Sequence, residues 1–258
     1  DGKHAAQIEL RVQKLGADGR LVARAGAIHH VNLLEKLLVM TLVKLGNYVP
    51  GGGIWMNTQR PEWNDANNAL VGYGLSMVTL CYLRRFLDFL SGLIAERPSG
   101  EYAVSVEVGL FFNSMNELLL EGPVASGEPV DKHSRKAFMD RAGSISESYR
   151  EQVYRGFSGA RQTLAAGDLE RFINRSIALL DDSIAANLRA DGLYNAYNLL
   201  KPEHEGCGVE TLQQMLEGQV AVISSGVLGP RQCLDLMESL QASNMYRPDQ
   251  NGYTLYPA

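Results

Sequence analysis

The chain has 258 residues, 45% of them hydrophobic and 21% charged, enough apolar material for one sizeable core and too much for a disordered tail. Its net charge of −5, with Lys and Arg scattered, excludes the basic stripe of a nucleic-acid binder, and no uninterrupted apolar run is long enough to span a membrane. Cys81, Cys207 and Cys233 are an odd number without C-x-x-C spacing, which argues against a disulfide framework and a zinc site and makes a reducing cytoplasm the expected setting.

Residues 8–24 alternate weakly in polarity, and residues 1–30 read as an extended leader or small hairpin. Residues 31–45 show apolar recurrence at three and four, stopped by Gly46-Asn47, which predicts a helix. Residues 67–94 form the longest apolar-periodic stretch, with Leu70, Tyr73, Met77, Leu80, Leu83, Phe86 and Leu90 on one face. Residues 101–120 begin with strand-like alternation at Val104, Val106 and Val108 but continue with helical spacing; helix is the favoured reading. Helices follow over 131–154, over 168–188 with Asp168 as cap, over 210–223, and over 230–242 with Pro230 in the first turn. About seven helices joined by loops predict an all-α protein, residues 31–258 forming an (α/α) barrel-type domain or part of one.

Chemistry concentrates in Arg60-Pro61-Glu62-Trp63-Asn64-Asp65-Ala66-Asn67. An indole beside carboxylates and amides suits a sugar, offering a flat apolar face to its C–H groups and charged partners to its hydroxyls. Helix capping by Asn64 or Asp65 is the plainer account, but a cap uses one side chain and leaves Arg60, Glu62, Trp63 and Asn67 unexplained. The preceding run, Tyr48 to Asn57, is a Pro/Gly loop carrying the other tryptophan, Trp55. Such a loop reads as flexible lining that lets backbone approach a ligand.

Trp63-Asn64-Asp65 resembles the Asp-Trp-Asn-Asp motif of the cellobiose and chitobiose phosphorylases, inverting enzymes built on an (α/α)6 toroid. The resemblance implies that Asp65 is the general acid and Trp63 a wall of the sugar subsite; Glu62 stands where the family has its first aspartate. The C-terminal run from Met245 to Pro257 is similar to a segment of large bacterial phosphorylase-like proteins, so the chain reads as a C-terminal portion of a larger polypeptide. An (α/α)6 toroid needs about twelve helices. The expectation is therefore a fragment or partial toroid, or a homo-oligomer.

Other positions are weaker. Glu217 and Gln219 interrupt an apolar helix and need partners there. A core network accounts for them as well as catalysis does, with Glu217 as the general base in the catalytic case. His204, between Glu203 and Glu205, reads as surface loop or as a second active-site loop; adjacent residues converge poorly on one metal. Ser224-Ser225-Gly226 suits a phosphate or, more simply, a helix end. His29-His30 offers metal ligands but reads more simply as solvent-facing, and Glu107, Glu117 and Asp140 are single carboxylates, read as surface or paired-charge residues.

The expected function is inverting cleavage of a glycosidic bond in a disaccharide or oligosaccharide. Asp65 is the acid, and Arg60, Glu62, Trp63, Asn64, Asn67, Trp55, Gln219 and His204 are the binding residues. The nucleophile is water activated by Glu217, or inorganic phosphate as co-substrate. No cofactor, metal, nucleic acid or membrane is expected. A non-catalytic helical scaffold or carbohydrate-binding module is the competing class.

Overall fold

The computed structural model describes residues 2–17, 23–24, 27–56, 70, 72–122 and 130–257. Where an alternating leader was expected, the chain starts with α1 (Gly2–Leu15). Ile8 and Val12, read as strand positions, are four apart and share a helix face, while Leu10 is exposed. A two-residue hairpin follows, β1 (Ala23–Arg24) with β2 (Ala27–Ile28). Next comes α2 (Leu33–Leu45), capped by the Asn32 side chain, which accepts the Glu35 N–H, and burying Leu38, Leu42 and Leu45 at helical spacing.

The all-α toroid is overturned by what comes next. Strands β3 (Tyr48–Val49), β4 (Gly53–Trp55), β5 (Gly74–Ser76), β8 (Tyr197–Pro202) and β9 (Cys207–Thr211) form one antiparallel sheet in the order β3-β4-β5-β8-β9. Three of these strands have only two or three residues and two of them contain glycine, so period-two alternation has no room to show. Residues 67–94 were expected to form one helix, yet Gly74-Leu75-Ser76 pairs with β4 and α3 begins at Met77 (Met77–Ala95). Gly72 takes a positive φ, and the Ser76 hydroxyl caps the helix by accepting the Thr79 N–H. The ambiguous stretch from residue 101 is both things in turn, β6 (Glu101–Ser105) and then α4 (Val106–Glu121).

Helix α5 (Lys132–Arg155) is capped by Asp131. Strand β7 (Arg161–Ala165) pairs with β6 and runs directly into α6 (Ala166–Ala185). Asp168, expected as the cap, lies in the first turn instead, three residues past the N-cap Ala165. Helix α7 (Leu216–Ser225) starts later than 210 because that residue belongs to β9, and it ends at Gly226 in the left-handed conformation. Helix α8 (Pro230–Ala242) has its proline in the first turn as predicted. A final hairpin, β10 (Tyr246–Arg247) with β11 (Gly252–Tyr253), closes the described chain.

The principal core forms around α3, which packs against α6 and α7 and buries Leu80, Leu83, Leu87 and Leu90. Register divides the five-stranded sheet into two faces. Tyr48, Ile54, Ser76 and Tyr197 stand opposite one another across the ladders and look toward this core, whereas Trp55, Leu75 and Asn198 occupy the alternate positions. On the second face Val49, Leu75, Leu200 and Cys207 make a smaller cluster with Trp55, covered by Met139 of α5. Among the described residues no helix is long and apolar enough to cross a membrane.

Candidate functional site

The β3–β4 hairpin is pinned rather than flexible. Gly51 and Gly53 both take positive φ, and a Cβ on Gly53 would fall 2.9 Å from the Ser76 carbonyl carbon, so glycine lets this turn lie against β5. The turn's carbonyl oxygens are all engaged. Arg135 Nε donates to Pro50 O at 2.8 Å, Asn187 Nδ2 to Gly51 O at 3.1 Å, and Asn198 Nδ2 to Gly52 O at 2.8 Å. The Gly51 N–H donates to the Ser183 hydroxyl, which also lies 2.7 Å from the Tyr48 phenol. Asn198 and Asn195 both donate to Asn187 Oδ1, making a buried amide network beneath the turn. The expectation that this backbone is offered to a ligand is therefore corrected: its acceptors are consumed by the fold.

What the pinned hairpin does present is Trp55. Its N–H donates to Asn47 O, its indole Nε1 donates to Gly72 O at 2.9 Å, and Met56 N–H donates to Gly74 O. The last two of these bonds join the chain on either side of the stretch that carries the Trp63-Asn64-Asp65 motif. Arg60, Glu62, Trp63, Asn64, Asp65 and Asn67 themselves lie outside the described residues.

Trp55 also lines a cavity of about 850 Å³ bounded by α1, α2, α4, α5 and the hairpin. Its walls combine the rings of Tyr48, Trp55, Phe111, Tyr149 and Tyr154 with the polar groups of Asn47, Ser146, Glu147, Arg150 and Arg155. Phe111 and Tyr149 stack at 4.5 Å. The size lies in the range of small-molecule sites, and aromatic faces among convergent polar groups suit a sugar.

The remaining sequence-derived candidates are placed elsewhere. Glu217, in the first turn of α7, accepts a 3.0 Å hydrogen bond from the Tyr197 hydroxyl, and Tyr197 stands on the sheet face opposite to Trp55. Gln219 is fully buried and closed on itself. Its Oε1 accepts the Tyr194 N–H while Nε2 donates to the carbonyls of Tyr194 and Met215, which is the core-network alternative. His204 is exposed at the β8–β9 turn, where Lys132 pairs with Glu203 at 2.5 Å, well away from the Trp55 cavity. The hydroxyls offered for a phosphate are taken: Ser225 donates to Val222 O and Ser224 accepts from Arg85.

Two further expectations are corrected. Glu107 is no surface carboxylate but 6% exposed, its Oε1 accepting the Ser158 N–H. His29 is half-buried, stacked on Phe157 at 4.3 Å with Nε2 3.0 Å from the Ser105 hydroxyl. Sequence reasoning passed over Glu35, a fully buried carboxylate in α2 that accepts from Ser105 N–H and Arg161. Its position on the apolar stripe, three residues before Leu38, was the available signal. Arg135 was also missed; it is buried and donates to the carbonyls of Pro50, Cys207 and Val130. Among the described residues no group of three or more His, Cys, Asp or Glu side chains is arranged to hold a metal ion.

The described fold is thus a mixed α/β arrangement with an aromatic, polar-edged cavity beside a pinned tryptophan. No protein family's profile matches the chain, and no curated protein is detectably similar to it.

Proposed function

We propose that the Trp55 cavity binds a disaccharide or oligosaccharide and that the chain cleaves its glycosidic bond with inversion, Asp65 serving as general acid. The observation that carries this reading is the hydrogen bond from Trp55, a residue of the cavity wall, to Gly72, which ties together the chain on either side of residues 57–69. A sugar stacked on the indole would have its hydroxyls met by Asn47, Ser146, Glu147 and Arg150. Asp65 would then protonate the leaving oxygen as the anomeric C–O bond breaks. The nucleophile is water or inorganic phosphate. The likeness to the cellobiose and chitobiose phosphorylases is confined to the motif, because this fold carries a sheet where those enzymes are helical. Three free thiols, Cys81, Cys207 and Cys233, fit a reducing cytoplasm.

The competing reading, a carbohydrate-binding module without turnover, draws on the placement of Glu217. An inverting hydrolase sets base and acid about 6.5–9.5 Å apart in one site, and Glu217 faces the other side of the sheet from Trp55. Incubation with β-linked disaccharides and oligosaccharides, with and without phosphate, separates the two. Release of product with inverted anomeric configuration supports cleavage; calorimetric binding without product supports the module.

A further inference from the structure

Behind the cavity wall lie two buried carboxylates that the proposed reaction has not used. Tyr149, on α5, lines the cavity and stacks on Phe111 with 16° between the rings. Phe111 sits one turn beyond Glu107 on α4, so both belong to the same helix face, and Tyr149 covers that face from the cavity side. Glu107 uses Oε1 to accept the Ser158 N–H at 2.7 Å, while its buried Oε2 has no partner among the described residues. Glu35, 1% exposed, uses Oε2 for the Ser105 N–H at 3.0 Å and Arg161 Nη1 at 2.7 Å, and its Oε1 is likewise buried without a partner among them.

A buried carboxylate oxygen without a hydrogen bond costs about 1–3 kcal/mol, and here two such atoms occur in one cluster. They are two of the three side-chain atoms in this condition among the described residues. Neither carboxylate lines the cavity, whereas Tyr149 does. Burial, together with the negative charges of Glu35 and Glu107, pushes the Tyr149 hydroxyl up to about 12, so it stays protonated and able to hand a proton on.

We infer that Tyr149 is the base-side group of the cavity, relaying the proton of the attacking water to Glu107, an inference that rests on the glycosidic-cleavage reading. The water oxygen bonds to the anomeric carbon as one of its O–H bonds breaks and that proton passes to Tyr149 Oη. The phenol's own proton moves, through an intervening water, to Glu107 Oε2. The anomeric C–O bond breaks with its electron pair going to the leaving oxygen, which takes the proton of the general acid. Glu35, tied to Arg161, accepts the N–H of Ser105, the N-cap of the helix that carries Glu107, and is a positioning residue. Among the described residues His29, ahead of α2, and Tyr149, from α5, interact electrostatically with Glu107, while Glu35 of α2 interacts with Tyr149 and pairs with Arg161 of β7.

The test uses the whole chain with β-linked cello-oligosaccharides in phosphate-free buffer. Tyr149→Phe keeps the ring stacked on Phe111 and removes only the hydroxyl, so kcat should fall about 10²- to 10⁴-fold with KM unchanged. Glu107→Gln should lower kcat similarly and remove the acid limb of the kcat/KM profile, a change that a merely structural role would not produce. Should Glu107→Gln fail to fold, Tyr149→Phe decides alone. Wild-type kinetics in Tyr149→Phe overturn the relay and leave the cleavage reading standing. Cleavage by the parent only when phosphate is present overturns the relay in the same way, since phosphate needs no base. A parent chain that cleaves nothing overturns both.

Discussion

Trp55 and Gly72 are joined by a hydrogen bond from the indole N–H to the glycine carbonyl, 2.9 Å long, so the residue that walls the cavity also ties together the chain on either side of residues 57–69. Trp55→Phe separates these roles. It keeps an aromatic face and loses the bond, and should lower stability by about 1 kcal/mol in urea unfolding while retaining most of the sugar affinity. Trp55→Ala removes the face as well, and calorimetry should then show binding reduced at least tenfold.

Asp65→Asn keeps the shape of the side chain and removes its transferable proton. Turnover should drop about 10²- to 10⁴-fold with affinity preserved. An unchanged rate combined with a loss of about 1 kcal/mol in stability would identify Asp65 as a helix cap instead.

Arg135 holds three backbone carbonyls together, from Val130, Pro50 and Cys207. Arg135→Met fills the space but orphans those acceptors, so unfolding in urea should require at least about 3 kcal/mol less free energy. Cavity binding should weaken as well, because the Pro50 turn leads into Trp55. Retained stability would mean that water replaces the guanidinium.

Burial pushes the Glu107 carboxyl up, but hydrogen bonds from the Ser158 hydroxyl and N–H and from its own N–H, with His29 nearby, outweigh it and hold the group below its ordinary 4.5. A carboxyl lowered on folding stabilises the native state above its unfolded pKa, and that contribution fades as pH falls through the native value. Stability should therefore decline as pH drops below about 4.5. In Glu107→Gln that part of the decline should be absent from a series of thermal melts.

Burial, with a further contribution from Asp181, pushes the Cys81 thiol up to about 12. Iodoacetamide at mildly alkaline pH should modify the partly buried Cys233 first and leave Cys81 unlabelled until the chain unfolds, as read by mass spectrometry.

The helices were legible where their apolar stripe was long. Residues 31–45 and 230–242 were placed within a residue or two, because Gly46 and Pro230 mark the ends. The sheet was not legible. Gly74-Leu75-Ser76 lies next to a strong helical stripe, and only pairing with the distant Tyr197, Asn198 and Leu199 makes it a strand, whereas Cys207-Gly208-Val209 forms a local hairpin with Leu200, Lys201 and Pro202 that no alternation announced. Trp55, expected as a binding residue because it follows a Pro/Gly loop, lines the cavity and also packs against the smaller core cluster. Glu35 showed itself only as a carboxylate on an apolar stripe, and Tyr149 was invisible because its importance lies in contacts between helices far apart in the chain, which no local pattern records.

Strand β5 pairs with β8 through Gly74↔Leu199, Leu75↔Asn198 and Ser76↔Tyr197, although residues 77–196 intervene. The first half of the sheet must therefore wait, edge unsatisfied, until α3 to α6 have been made and packed. Closing so long a loop costs chain entropy before any ladder bond rewards it. The hairpin that carries Trp55 consequently completes its surroundings late, and the cavity becomes competent only when the last two strands of the sheet have arrived.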